Sequence, residues 1–379
     1  MRTELAEAEI APYLERLEAI VDPEHVARTH ELQARAFAYE PVDHAPTMII
    51  YPIPEDEWPD YNFQEIYDDP GKMLLHELRD IYAGAKLADD RLYGIRANYG
   101  TGIISAMFGC RTVTFEDSLP IGLAVSEEQL DRVLEAGTPP LRGGPHSELI
   151  ERALDTVAYY RETLAPYSKL ASLVGSQMLD IQGPFDNASI IWGSSLYYAF
   201  YDDPEKLHAL MGIIVDTILA VVREHRRIDR GALNEHGGQW NHLGGLCVRN
   251  DSSINLSARQ YVEFVQPYDR QLLGPYGGWI HFCGKANWWQ TLLAIPNLKG
   301  INPYQGEFYD LYCMAEACEQ TRVPIVQWTS RVDERCRERI RTGFSRVFWA
   351  GDYDTACRAR DYLHTTGHVD GFQTSSITA

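Results

Sequence analysis

Long hydrophobic runs are missing from this chain. The longest apolar stretch, Leu210 to Val222, is short and carries Asp216, so it reads as a buried helix and not as a membrane span. The first residues, Met1 to Glu7, are acidic and hold no apolar block of the kind a secretory leader needs. Positive charge is scarce too: 34 basic side chains stand against 54 acidic ones, a formal net charge of -20. A field of that sign disfavours nucleic acid, an anionic membrane surface, and polyanionic substrates unless a local basic pocket overrides it. Cysteine is sparse, odd in number and scattered, 7 in 379 residues. That argues against a disulfide framework and suits a reducing cytoplasm. GxGxxG and phosphate-loop patterns are also missing, so nucleotide binding has no support.

What is present is a regular alternation of strand and helix signals. Two amphipathic helices, Glu4 to Val21 and Glu24 to Ala38, precede the first strand candidate and form an N-terminal helical layer over residues 1–40. Strands are expected at Ala45–Pro52, Leu92–Asn98, Leu173–Gln182, Gly244–Asn250, Gly277–Gly284 (ending in a glycine turn), Lys299–Pro303, Val323–Trp328 and Arg346–Ala350. Between them lie helical patterns, among them Asp203 to Arg230 with its Asp-Pro start, Ser257 to Leu273 with a Ser-x-x-Gln capping box, and Val332 to Thr342. Gly109 to Ile121 reads as a β-rich excursion. Eight strands spaced by helices favour an α/β fold of the (β/α)8 TIM-barrel kind over residues 41–379, with the helical layer as an extension.

The stretch Gly277 to Gly284 carries the sharpest chemical signal. Alternation puts His281 and Cys283 on one face of a short strand, at its carboxyl end, where barrel enzymes keep their catalytic groups. Imidazole plus thiolate is a ligand pair that suits zinc. The competing explanation is a packing cysteine beside a hydrogen-bonded histidine. Asp180 and Gln182 share a face at the end of the third strand, as substrate contacts or a proton-handling carboxylate, or else as a loop cap. Arg249, Asn250 and Asp251 end the fourth strand. An arginine there holds a substrate carboxylate or pairs with an aspartate at the rim, and Asn250 and Asp251 are the stronger candidates to face the site. Tyr99, Glu235, His236, Trp240 and His242 are candidate mouth residues. Cys313 and Cys318 read as core, and Cys336, set among arginines, as a solvated helix face.

Several motifs resemble the uroporphyrinogen decarboxylase-like superfamily: Asp180-Ile181-Gln182-Gly183-Pro184-Phe185, the Asp202 to Pro204 helix start, and Arg249-Asn250-Asp251-Ser252 followed by Asn255-Leu256-Ser257. His281-Phe282-Cys283-Gly284, with Ile295-Pro296 and Gly300-Ile301-Asn302, is similar to its corrinoid methyltransferase branch. The resemblance runs from about Pro41 to the eighth strand. It implies a barrel with its site at the strands' carboxyl mouth. For that branch it implies a zinc held by His-x-Cys and a later cysteine, which deprotonates a thiol that then takes a methyl group from a methylated corrinoid. No corrinoid-binding domain is evident in the chain, so a separate corrinoid protein is implied.

Two departures matter. Pro41 to Pro54 holds no arginine or lysine, so the decarboxylase's carboxylate-gripping arginine signature has no match. The place of the later cysteine reads Trp349-Ala350-Gly351-Asp352. For the third ligand, Cys247 is favoured because it shares a strand face with Arg249 and Asp251; Asp352 and Cys357 are the alternatives. The expected activity is methyl transfer on a small-molecule substrate, with His281, Cys283 and Cys247 on the metal, Asp180 and Asp251 catalytic, and Gln182, Asn250, Tyr99 and Arg249 on substrate. A metal-free decarboxylase using Arg96 and Arg249, and a non-catalytic barrel that binds a tetrapyrrole or a corrinoid partner, are the competing readings.

Overall fold

The computed structural model describes residues 3–229, 244–337 and 339–372. Among them are ten strands: β1 (Thr47–Ile50), β2 (Gly94–Ile95), β3 (Arg111–Val113), β4 (Ile121–Leu123), β5 (Gly175–Ser176), β6 (Leu246–Arg249), β7 (Gly278–Phe282), β8 (Leu298–Pro303), β9 (Ile325–Trp328) and β10 (Phe344–Trp349). Six of them form a parallel sheet in the order β1-β10-β9-β8-β7-β6. A parallel pair β2-β5 stands apart, and β3-β4 is an antiparallel hairpin in the excursion. The last strand pairs with the first, which a ring requires and an open doubly wound sheet lacks. The fold is therefore TIM-barrel-like, but the expected closed ring of eight ladders is not seen. The ladders break between β1 and β2 and between β5 and β6.

Each break has a physical cause. Beside β1, side chains replace a neighbouring strand. Asp90 Oδ2 accepts the Thr47 N–H at 2.9 Å, Asp89 Oδ2 accepts that of Ile49 at 2.8 Å, and Arg91 Nη2 donates to the Ile49 carbonyl at 2.7 Å. Arg91 is buried and its charge is met by Asp89, at 2.8 Å. It lies against Gly84 of the helix Pro70–Leu87, where a Cβ would stand 2.3 Å from the Arg91 Cδ. At the second break a single bond, Gly183 N–H to the Arg249 carbonyl at 2.7 Å, stands in for a ladder. The approach is so close that a Cβ on Gly183 would lie 2.4 Å from that carbonyl oxygen.

The two N-terminal helices run Glu7–Ile20 and Pro23–Phe37, the second capped by Asp22 ahead of its first-turn proline. Their buried Ile10, Leu14, Leu17 and Val26 join the same apolar cluster as the residues beneath the strands. Glu18 reaches further, accepting the Lys169 and Leu170 N–H groups at the start of the helix Ser168–Leu173. The long helix Pro204–Asp229 and the Ser257 capping box form as expected. Val332 to Thr342 does not: two short 3-10 turns, Glu334–Cys336 and Arg339–Arg341, replace the expected helix. Asp333 bonds the Arg335 backbone two residues on, while Arg335 and Arg339 reach to Asp310, Glu316 and Glu319. Such local side-chain partners compete with helical bonding. Cys336 is buried there, not on a solvated face. Among the described residues no helix is long and apolar enough to cross a membrane.

Candidate metal centre

The parallel register stacks side chains in rows across β6, β7 and β8. Arg249, His281 and Asn302 align in one row, and Cys247 and Trp279 in the row beneath. His281 is the last but one residue of β7, and Cys283 follows the strand at the carboxyl mouth. The His281 Nε2 lies 3.4 Å from the Cys283 Sγ and 3.5 Å from the Asp251 Oδ1. All three donor atoms fall within 4.8 Å of one another. In a tetrahedral zinc site, bond lengths near 2.0–2.3 Å separate the ligand atoms by about 3.4–3.6 Å. The two separations from His281 Nε2 therefore match the edges of such a site, with Asp251 as its third member. Beside it opens a cavity of about 200 Å³, lined by Arg249, Trp279, His281, Cys283, Asn302, Tyr304 and Gln327.

Neighbouring groups fix these donors. The Asn302 Nδ2 donates to the Val326 carbonyl at 2.6 Å, which turns its Oδ1 toward His281, 2.6 Å from Nδ1. Nδ1 must then carry the proton, leaving the Nε2 lone pair free toward Cys283 and Asp251. Asp251 is anchored from both sides. Its backbone N–H and that of Ser252 donate to the two carboxylate oxygens of buried Asp186, at 2.8 Å each, and its own Oδ1 accepts the Cys283 N–H at 2.7 Å. Burial, followed by the Asp251 charge, raises the Asp186 pKa well above the usual carboxylate range. Burial and the Arg249 cation push His281 down, so the ring is neutral at physiological pH. Burial, then Asp251, pushes the Cys283 thiol up to about 12. A neutral imidazole, a thiol that needs a cation to ionise and a carboxylate make a coherent donor set for a borderline divalent ion.

Below the cluster, Asp180 is clasped by two cations, Arg249 Nε at 3.1 Å and Arg96 Nη1 at 3.2 Å. Burial alone would raise its pKa, but the two guanidinium groups and the Gln182 amide outweigh it and hold it below the usual range. Gln182 donates to Asp180 at 2.5 Å from a left-handed backbone, φ 52°. Asp180 and Gln182 thus sit together as expected, but Asp180 is a fixed anion between arginines.

Three expected site residues lie elsewhere. Cys247 stays in the lower row, packed against Trp279 and Val326, outside the donor cluster; burial pushes its thiol up to about 12. Alternation gave it the right face, but two residues too deep along the strand. Asn250 points behind the sheet, where its amide donates to the Asp269 carboxylate at 2.7 Å, beside Tyr261. Tyr99 is buried against the helix Glu148–Leu164, its hydroxyl 2.8 Å from that of Thr156. Of the alternative ligands, Asp352 caps the helix Tyr353–Thr366 and Cys357 lies within that helix. Glu235, His236, Trp240 and His242 fall outside the described residues. Sequence reasoning missed Asn302, Asp186 and Trp279. Trp279 shares the parity of His281, and its buried Nε1–H has no partner among the described residues. Asp186 gave no signal, because its partners lie 65 and 66 residues away.

Neither a protein-family model nor a curated protein sequence matches the chain. Among solved structures, a methyltransferase from Methanosarcina mazei is similar with a TM-score of 0.61 over 89% of this chain and 99% of its own, at 14% identity. At that identity the likeness establishes a shared fold.

Proposed function

We propose that the chain is a zinc-dependent methyltransferase of the uroporphyrinogen decarboxylase-like kind, with His281, Cys283 and Asp251 holding the metal. It passes a methyl group between a corrinoid on a separate protein and a thiol or other small acceptor, in the cytoplasm. Residues 41–379 form the catalytic barrel and 1–40 its helical layer. The supporting observation is the meeting of three unlike donors within 4.8 Å, Cys283 and Asp251 each at a tetrahedral-edge distance from His281, beside a cavity of about 200 Å³. The fold, similar to that of a methyltransferase, agrees with it. Three protein ligands and an open position is the pattern of catalytic zinc.

A zinc ion bound there supplies Lewis acidity that lowers the pKa of an acceptor thiol, so that a nucleophile exists at neutral pH. The chain's own residues do the remaining work. Asn302 keeps the His281 proton on Nδ1, and Asp186 holds the Asp251 loop in place. Arg249 and the Trp279 N–H border the cavity and orient the acceptor; Tyr304, half exposed, stands at its rim. The metal-free decarboxylase reading calls for a basic pocket built on Arg96 and Arg249. Both cations already share Asp180, which weakens that reading.

Cobalt(II) loading of the full chain tests the proposal. We expect a sulfur-to-cobalt charge-transfer band in the wild type and its loss in Cys283→Ala. A wild-type protein that takes up cobalt without any thiolate band overturns it.

A further inference from the structure

We propose a second divalent-metal site at the opposite end of the sheet, formed by His44, Asp90 and His364, for a borderline cation of the zinc type. The donor atoms of the three residues all lie within 4.8 Å of one another. They come from three separate elements: the lead-in to β1, the loop after the helix Pro70–Leu87, and the last turn of the helix Tyr353–Thr366. The His44 Nε2 stands 3.0 Å from the Asp90 Oδ2, and the two imidazole rings lie 5.1 Å apart between centroids, tilted at 44°. A tetrahedral site asks for donor separations of about 3.4 Å, so opening the His44–Asp90 contact by a few tenths of an ångström accommodates an ion.

The carboxylate is preorganised in the way metal ligands usually are. Asp90 is buried, its Oδ2 accepts the Thr47 N–H at 2.9 Å, and its carbonyl accepts the Gln33 amide at 2.7 Å. Such outer bonds orient a ligand and limit what binding must order. His364 is exposed, which leaves an approach from solvent. Asp43 and Asp361 add negative charge around the two rings; Arg360 opposes it, although its guanidinium is bonded to Asp361 and to the Leu87 carbonyl. Two imidazoles and a carboxylate without thiolate select zinc, nickel or cobalt over calcium or magnesium. An ion here would tie the last helix to the first strand, far from the mouth, so its role is to clamp the fold and not to take part in chemistry.

The site is independent of the mouth cluster, and the test keeps the two apart. In tag-free Cys283→Ala protein, titrated with zinc alone, calorimetry should find one ion per chain together with a rise in Tm. Cobalt(II) in the same protein should give d–d bands and no thiolate band. Adding His364→Gln, a solvent-facing change on a helix that keeps its length, should weaken that binding at least tenfold and abolish the Tm rise, with circular dichroism unchanged. Restoring Cys283 to the His364→Gln chain should restore only the thiolate-type site. Binding that is unaffected by His364→Gln, or no zinc binding by Cys283→Ala, overturns the proposal.

Discussion

At the scale of single residues, protonation is what makes the mouth cluster chemically specific. Cys283, pushed up to about 12, is a thiol at pH 7, whereas His281, pushed down, is already neutral. Read in His364→Gln protein, where the His44 cluster is disabled, zinc uptake should therefore release close to one proton, all of it from sulfur, and affinity should rise about tenfold per pH unit around neutrality. Calorimetry in buffers of different ionisation enthalpy measures this; release of no proton would remove Cys283 from the ligand set. Asn302 is the second residue on which the site turns. Asn302→Leu keeps the volume but drops the Oδ1 that holds the Nδ1 proton, and we expect metal affinity to fall by about 10–100-fold. Competition with a chromogenic chelator reads that change directly.

At the scale of elements, the unusual feature is that β1 has side chains for a neighbour. Asp89, Asp90 and Arg91 together occupy the hydrogen-bonding positions of Thr47 and Ile49. The arrangement needs room for Arg91 over Gly84. Glycine to alanine in a helix interior ordinarily stabilises by about 1 kcal/mol. Here a Cβ would meet the Arg91 Cδ at 2.3 Å, so Gly84→Ala should instead destabilise by about 1–3 kcal/mol. Urea unfolding gives the sign, and a more stable variant would show that Arg91 does not bridge β1. The same scale explains which expected residues come together and which do not. Alternation sorts a strand's residues by face, and it put His281 with Cys283 on one strand and Cys247 with Arg249 on the next, as the register has them. It does not measure depth along the strand, so it does not separate Cys247, one row below His281, from a donor at the mouth, and Asp251 sits past the end of β6 in a loop.

At the scale of the whole molecule, one acid-sensitive contribution to stability comes from a histidine far from the mouth. Burial lowers His225 from 6.5 to about 4 in the folded chain. Below pH 6.5 the unfolded chain takes up a proton that the folded chain refuses until about pH 4. Stability from this group is thus full above pH 6.5 and is lost as pH falls through that window, by about 3 kcal/mol. Asp269, raised to about 7, and Asp229, raised to about 6, act in the opposite sense, gaining stability as pH falls. The difference between wild type and His225→Gln isolates the histidine. The variant should lose less stability between pH 6.5 and 4 than the wild type in parallel denaturant titrations, and equal losses would contradict the buried neutral form.

Much of the architecture was legible from local pattern alone. The order of strands and helices, the two leading helices, the Asp-Pro and Ser-x-x-Gln helix starts, and the pairing of His281 with Cys283 on one strand face all depend on residues close in the chain. Periodicity, caps and breakers encode such features directly. Contacts between distant segments were not legible in that way. Asp251 meeting His281 and Cys283, Asp186 gripping the Asp251 loop, Asn302 setting a tautomer, and Arg91 standing in for a strand are each settled by which segments lie side by side. Local sequence carries no term for that adjacency, because the energies that choose it come from burial and hydrogen-bond completion across the folded chain.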